Sequence, residues 1–180
     1  MIVRDSNGNE LKDGDSVILI KDLKVKRSIY QLESYNTTEI DVVVKGEKRK
    51  LKMHGFIDRI DEEDGKMRVI DYKSGKVSSK QVAFKLEENV KTSFGSASHS
   101  TQLALYSLMF KTRFDFLPNE TAVFSLVNID QGLFKLQSDK MSLQEIVDLF
   151  PSLIQQIIDE MYDSELKIEH DSDAKYCQFC

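Results

Sequence analysis

The sequence predicts an α+β fold, a mixed β-sheet with flanking helices and a small β segment at the N-terminus, and three observations carry that expectation. Three runs of strand character, Ile40–Val44, Lys50–Ile60 and Lys66–Lys73, are separated by the turn-forming stretches KGEKR and EEDG, so they read as an antiparallel meander. A dense apolar pattern follows in SHSTQLALYSLMFKTRF, long enough and evenly enough spaced to be a helix. Near the end, SLQEIVDLFPSLIQQIIDEMYDSEL sets Leu143, Ile146, Val147, Phe150, Ile154, Ile157, Ile158 and Met161 at helical spacing, the signature of an amphipathic helix.

Taken in order, Met1–Ser28 opens with turn residues and continues in SVILIKDLKV, so it reads as a hairpin or small β unit. The meander comes next. Val77–Ser98 is polar and irregular, with a short helix expected over Gln81–Asn89. The Ser-rich start of SHSTQLALYSLMFKTRF marks the beginning of the long helix. TAVFSLVNI and GLFKLQ form a strand pair around a turn at Asp130–Gly132. A kink is expected at Pro151 in the last helix, because proline lacks the amide hydrogen and its ring crowds the preceding turn. No internal repeat is visible.

The chain of 180 residues is 41% hydrophobic and 31% charged, which suits one good globular core and argues against disorder. No apolar run approaches the roughly 18 residues of a membrane span, and MIVRDSNGNE lacks the build of a signal peptide, so a cytoplasmic protein without a membrane partner is expected. The two cysteines, Cys177 and Cys180, give no disulfide framework. A net charge of −5 excludes gripping nucleic acid by bulk charge, yet it hides an asymmetry. Lys45 to Lys80 holds eleven Lys/Arg against seven Asp/Glu, whereas Asp139 to Asp173 holds two against ten. A basic middle and an acidic tail either face different partners or are solvated surfaces.

Within the meander, HGFIDRIDEEDGKMRVIDYKSGK carries the chemistry. Asp71 and Lys73 are two apart in a strand and project from one side, and the EEDG turn folds Asp58 toward Asp71. Two converging carboxylates are hard oxygen ligands suited to Mg²⁺, and an adjacent ammonium can position water or balance charge on a phosphate. Taken alone, Asp-x-Lys in a strand is more often a cross-strand ion pair. Arg59 is expected to pair with a local carboxylate. Ser74, Lys76 and Lys80, just past the strand, either approach phosphates or form a solvated loop.

GFIDRID, the thirteen-residue step from Asp58 to Asp71, VIDYKSGK and a downstream helix bearing Gln102 and Tyr106 occur in one order, and in that order the chain resembles the RecB-type branch of the PD-(D/E)XK nuclease superfamily over residues 29–180. That resemblance implies an α/β/α restriction-endonuclease-like core and Mg²⁺- or Mn²⁺-dependent hydrolysis of DNA, as in the RecB and AddB exonuclease domains of DNA repair and recombination. It implies DNA as partner and a helicase domain or subunit beside it. Asp58 then matches the first metal-binding carboxylate, Asp71 the second and Lys73 the catalytic lysine. Gln102 and Tyr106 match the Q-x-x-x-Y helix motif, on one helix face, where family members hold substrate; Lys76 is the loop residue expected to join them.

Two departures accompany the resemblance. Related nucleases use four thiolates to hold an iron–sulfur cluster, and Cys177 and Cys180 are a partial ligand set, so the cluster is expected only in a longer chain. The family's N-terminal helix supplies a Glu or His to the metal, whereas SIYQLESYNTTE offers only Glu33 and Glu39. Residues 3–26 instead resemble the C-terminal β domain of PhnA-type proteins. The expected organisation is therefore a PhnA-like segment, 1–28, and a nuclease domain, 29–180, shortened at both ends. Two functions stay open: a metal-dependent deoxyribonuclease, and a catalytically incomplete nucleic-acid-binding or assembly module of the same fold. A third metal ligand separates them. A role centred on the PhnA-like segment is the weakest reading, since it covers too little of the chain.

Overall fold

The computed structural model describes residues 27–86 and 98–166. All but the last two residues of the expected Met1–Ser28 unit, and both cysteines, lie outside the described residues. Five strands form one mixed sheet in the order β1-β2-β3-β4-β5: β1 Arg27–Val44, β2 Glu47–Glu63, β3 Lys66–Lys73, β4 Glu120–Ser125 and β5 Leu133–Lys135. The first three pair antiparallel, β3 and β4 pair parallel, and β4 and β5 pair antiparallel. Helix α1, Ser98–Phe114, lies on the β3–β4 crossover that a parallel pair requires, and α2, Leu143–Tyr162, follows the sheet.

The meander is tighter than its turn residues suggest. Lys45-Gly46 and Asp64-Gly65 all have positive φ, between 51° and 81°, the signature of two-residue type I′ turns, whose twist matches that of the flanking strands. Pairing therefore begins at once, with Val44 against Glu47 and Glu63 against Lys66. As a result β1 and β2 run well beyond the expected Ile40–Val44 and Lys50–Ile60. Strand β3 falls on the expected residues.

The core has two main parts. Ile57, Ile60 and Val69 of the sheet meet Tyr106, Met109 and Phe110 of α1. Ala104 of α1 meets Ile146, Phe150 and Leu153 of α2, together with Phe84. The half-buried Met53 packs against both groups, so α1 and α2 share a face of the sheet. A capping box opens α2: Ser142 Oγ accepts from the Glu145 amide and Glu145 accepts from the Ser142 amide at 2.7 Å. The helix passes through Pro151 without a break, with Phe150 and Leu153 buried on either side of it.

The expected helix over Gln81–Asn89 is not formed in its described part. One 3-10 turn, Ser79–Gln81, gives way to an extended segment in which Ala83 bridges Gln137 and the Phe84 amide donates to the Gln137 carbonyl at 2.8 Å. Val82 and Phe84, two apart, are both buried, a spacing that suits extended chain. Strand β4 is likewise shorter than TAVFSLVNI. Ser125 Oγ accepts from the amides of Val127 and Asn128 and turns the chain out of the sheet. At the far edge, the Gln155 side chain both accepts from the Val43 amide at 2.7 Å and donates to its carbonyl at 2.9 Å, standing in for a neighbouring strand.

Candidate functional site

The pairing of β2 with β3 stops at Arg59 opposite Ile70; one further step sets Asp58 opposite Asp71, where the strands part. Alternation along β2 also slips here. Ile57 and Ile60 both enter the core beneath α1, while Arg59 reaches the other face and donates to Tyr72 Oη at 3.1 Å. Glu33, opposite Asp58 on β1, has φ of 48°, and the flanking residues Leu32 and Ser34 keep their pairing with Arg59 and Ile57. Asp58 is thus released from the ladder, and its carboxylate accepts the Tyr72 amide at 2.7 Å. It fills the fork between the two strands.

Asp71 and Lys73 occupy the same side of β3, as their spacing requires, and α1 crosses above them. Gln102 joins the two. Its Oε1 accepts from Lys73 Nζ at 2.8 Å, and its Nε2 donates to Asp71 Oδ1 at 3.1 Å and to Tyr106 Oη at 2.8 Å. Gln102 and Tyr106 are one helical turn apart, so a single face of α1 supplies both. Gly55 of β2 lies beneath that face, where a Cβ would meet the Tyr106 ring in ordinary contact at 3.5 Å. Lys73 Nζ also lies 2.8 Å from Asp71 Oδ2. Oδ2 is closed off from water, with the Lys73 ammonium as its ion-pair partner.

Burial is the main influence on Asp71 and raises its pKa; the Lys73 ammonium opposes the rise and the Asp58 carboxylate adds to it. Tyr106 is pushed up chiefly by burial and stays a phenol. His99, which the sequence reading did not single out, belongs to the same neighbourhood. Burial first, and then the Lys73 ammonium, lower its pKa, while Asp71 pulls it back up. The signal for it was present, since His99, Gln102 and Tyr106 follow one another at helical steps of three and four.

The remaining candidates separate clearly. Arg59 pairs with Asp61, as expected of a local partner. Asp61 is fully buried and also takes two bonds of 2.8 Å from Arg68, which pairs with Glu63 as well. Burial alone would lower the Arg68 pKa, but Asp61, Glu63 and Glu120 outweigh it. Lys76, Ser74 and Lys80 are exposed on the segment after β3. The backbone around Lys76 is nevertheless tied down: Ser125 Oγ donates to the Gly75 carbonyl at 2.8 Å and Asn128 Nδ2 to that of Val77 at 3.2 Å. Glu39 lies up the hairpin opposite Lys52, away from the fork, whereas Glu33 is beside Asp58 in register with an exposed side chain.

Among the described residues no three of His, Cys, Asp and Glu converge as metal ligands. Asp58 and Asp71 nevertheless fit a Mg²⁺ ion, which takes one or two carboxylates and keeps several waters. A buried carboxylate oxygen without a hydrogen bond, Asp71 Oδ2, is the atom such a cation would satisfy.

An antiparallel meander joined through a helix to a parallel strand, with carboxylates and a lysine gathered where β2 and β3 part, is a nuclease-like α+β arrangement. The model of the PD-(D/E)XK nuclease superfamily matches residues 17–180, and the chain belongs to that superfamily. Curated relatives match shorter stretches. Protein YjdM of Escherichia coli K12 is 46% identical over 57 residues, 31% of this chain and 51% of that protein. A YjdM homolog of Haemophilus influenzae is 68% identical over 28 residues, 16% of this chain and 23% of that protein. The chain thus spans about half the length, or less, of these relatives. They do not confirm the expected likeness to PhnA-type proteins. Among solved structures, the crystal structure of SSO0001 is 18% identical, with a TM-score of 0.34 over 70% of this chain and 50% of the other. No described helix is long and apolar enough to cross a membrane.

Proposed function

We propose that the chain is a Mg²⁺-dependent deoxyribonuclease domain of the RecB/AddB type, an exonuclease serving DNA repair or recombination. The observation that carries this reading is the double hold of Gln102 on Lys73 and Asp71 next to the carboxylate of Asp58, which the Tyr72 amide holds in the fork. Side chains in an incidental cross-strand ion pair need no third residue from a distant helix to orient them.

In this reading Asp58 and Asp71 would hold the divalent ion, whose chemistry there would be to lower the pKa of water and to offset negative charge on the phosphate. Lys73 keeps its ammonium at the same point and balances charge as it gathers on the phosphate oxygens. Gln102 fixes the direction of both groups, and Tyr106 fixes Gln102. Lys76, on its anchored loop, and the exposed lysines of the β1–β2 hairpin meet the DNA backbone in salt-sensitive, sequence-independent contacts. A helicase domain or subunit is the expected neighbour, and an iron–sulfur cluster would need cysteines beyond Cys177 and Cys180.

The test is degradation of linear DNA with Mg²⁺ or Mn²⁺, expected in the parent and absent in folded Asp71→Ala and Lys73→Ala proteins. Activity surviving both substitutions overturns the assignment. The second reading, a catalytically incomplete nucleic-acid-binding or assembly module, is favoured by the lack of a third converging ligand among the described residues. It is supported if the parent binds DNA yet never cleaves it at any concentration of either metal.

A further inference from the structure

On the outward face of the β1–β2 hairpin only the lysines have been given a part, as general contacts to the DNA backbone, and the rings beside them have none. Along β1 the residues Ser34, Asn36, Thr38, Ile40 and Val42 are buried, so Tyr35, Thr37, Glu39 and Asp41 look the other way. Opposite them on β2 stand Phe56, His54, Lys52 and Lys50, with Lys48 one pair nearer the turn, and all five are exposed. Tyr35 and Phe56 are 54% and 58% exposed, an uncommon state for two neighbouring large aromatic rings on a sheet. Their centroids are 5.3 Å apart, and the His54 ring is 5.9 Å from that of Tyr35.

Charge says what this face fits. Lys48, Lys50 and Lys52 follow one another at alternate positions, roughly 7 Å apart on a strand that rises about 3.4 Å per residue. Lys50 stands 3.7 Å from Glu39 and 3.9 Å from Asp41, both long and solvent-exposed pairs, and among the described residues Lys48 and Lys52 form no ion pair. A row of cations running into a cluster of exposed rings is the pattern that holds single-stranded nucleic acid, with phosphates on the lysines and bases on the rings. The row ends at Phe56, two residues before Asp58 and the strand fork, on the sheet face turned away from α1.

The geometry points to this face as a track for single-stranded DNA, with Phe56, Tyr35 and His54 as the stacking platform and Lys48, Lys50 and Lys52 as the phosphate contacts, on the back of the sheet from α1. This inference rests on the nuclease reading for its substrate, but it concerns binding and is tested without catalysis.

The full chain, in EDTA, is titrated against a short fluorescein-labelled oligo-dT and against a labelled blunt duplex, with anisotropy as the readout. The parent binds oligo-dT more tightly than duplex. Tyr35→Ala/Phe56→Ala weakens oligo-dT binding tenfold or more with unchanged circular dichroism. Replacing the three lysines by Gln lowers the slope of log affinity against log salt by about 2, as loss of three phosphate contacts to a single strand requires. Unchanged oligo-dT binding in the aromatic variant overturns the proposal. So does sedimentation showing that the parent self-associates while the variant is monomeric, because the occupant is then a second copy. Oligo-dT binding lost with the rings, in a protein that never cleaves with metal, supports the track and sinks the nuclease reading alone.

Discussion

Gln102 donates to the Asp71 carboxylate at 3.1 Å from a helix 31 residues further along the chain, and the oxygen of the same amide accepts from Lys73. One side chain therefore sets the direction of two charges that the strand merely places on one side. Gln102→Ala is expected to lower metal-dependent cleavage about 10- to 100-fold and to raise the Mg²⁺ concentration needed for half-maximal rate. Gln102→Glu removes the donor and sets a like charge against Asp71, and should be no better. Rates measured across a Mg²⁺ titration check this, and unchanged Mg²⁺ dependence in both variants would contradict it.

Asp58 and Asp61 stand three residues apart in one motif and behave oppositely. Asp61 is fully buried between Arg59 and Arg68. Asp61→Ala leaves two buried guanidinium groups short of a partner and is expected to cost about 3–5 kcal/mol in urea unfolding. Asp58→Ala loses one bond to the Tyr72 amide at a half-exposed position, so the protein should stay folded and lose cleavage. Equal destabilisation by the two substitutions would refute the division.

Burial holds Asp71 at a cost to stability. Burial raises its folded pKa, so the folded state binds the proton more readily than the unfolded chain does. Its contribution to stability is therefore lost as pH rises from the ordinary Asp range through the folded value, and stays lost above it. Asp71→Asn, in metal-free buffer at neutral pH, should raise Tm. The gain should shrink as pH falls toward 4. A gain that grows on acidification would show that the sign is wrong.

His99 is lowered mainly by burial, next by Lys73, and is pulled up by Asp71. Its imidazole should titrate by NMR below the ordinary histidine range and be neutral at pH 7. Removing each charge should move it in opposite directions: Lys73→Met upward, Asp71→Asn further downward. Both substitutions moving it the same way would place His99 outside this cluster.

Much of the fold is legible along the chain. Strand β3, helix α1 and helix α2 fall where periodicity sets them, and the clustering of Asp58, Asp71, Lys73, Gln102 and Tyr106 follows from strand and helix spacing together with the resemblance. In its described part, the segment from Gln81 departs from the expected helix because Val82 and Phe84 answer to burial against other elements, and local propensity does not contain that information. The strands of the hairpin were read short because charged residues such as Glu47, Lys48 and Arg49 carry no apolar alternation, although the type I′ turn lets them pair.

By itself the sequence determined which residues alternate, which recur at helical steps and where the chain turns, because those properties depend on neighbours a few bonds away. Only the tertiary structure decided how Asp58, which the EEDG turn already sets toward Asp71, is freed from the ladder and that Asp61 is consumed by arginines. That outcome depends on where β2 leaves β3 and on the slip in alternation opposite Glu33, and both are set by strand pairing. The same holds for His99 and for the exposed rings of Tyr35 and Phe56: a residue's spacing fixes its face, but what lies against that face is decided by the rest of the fold.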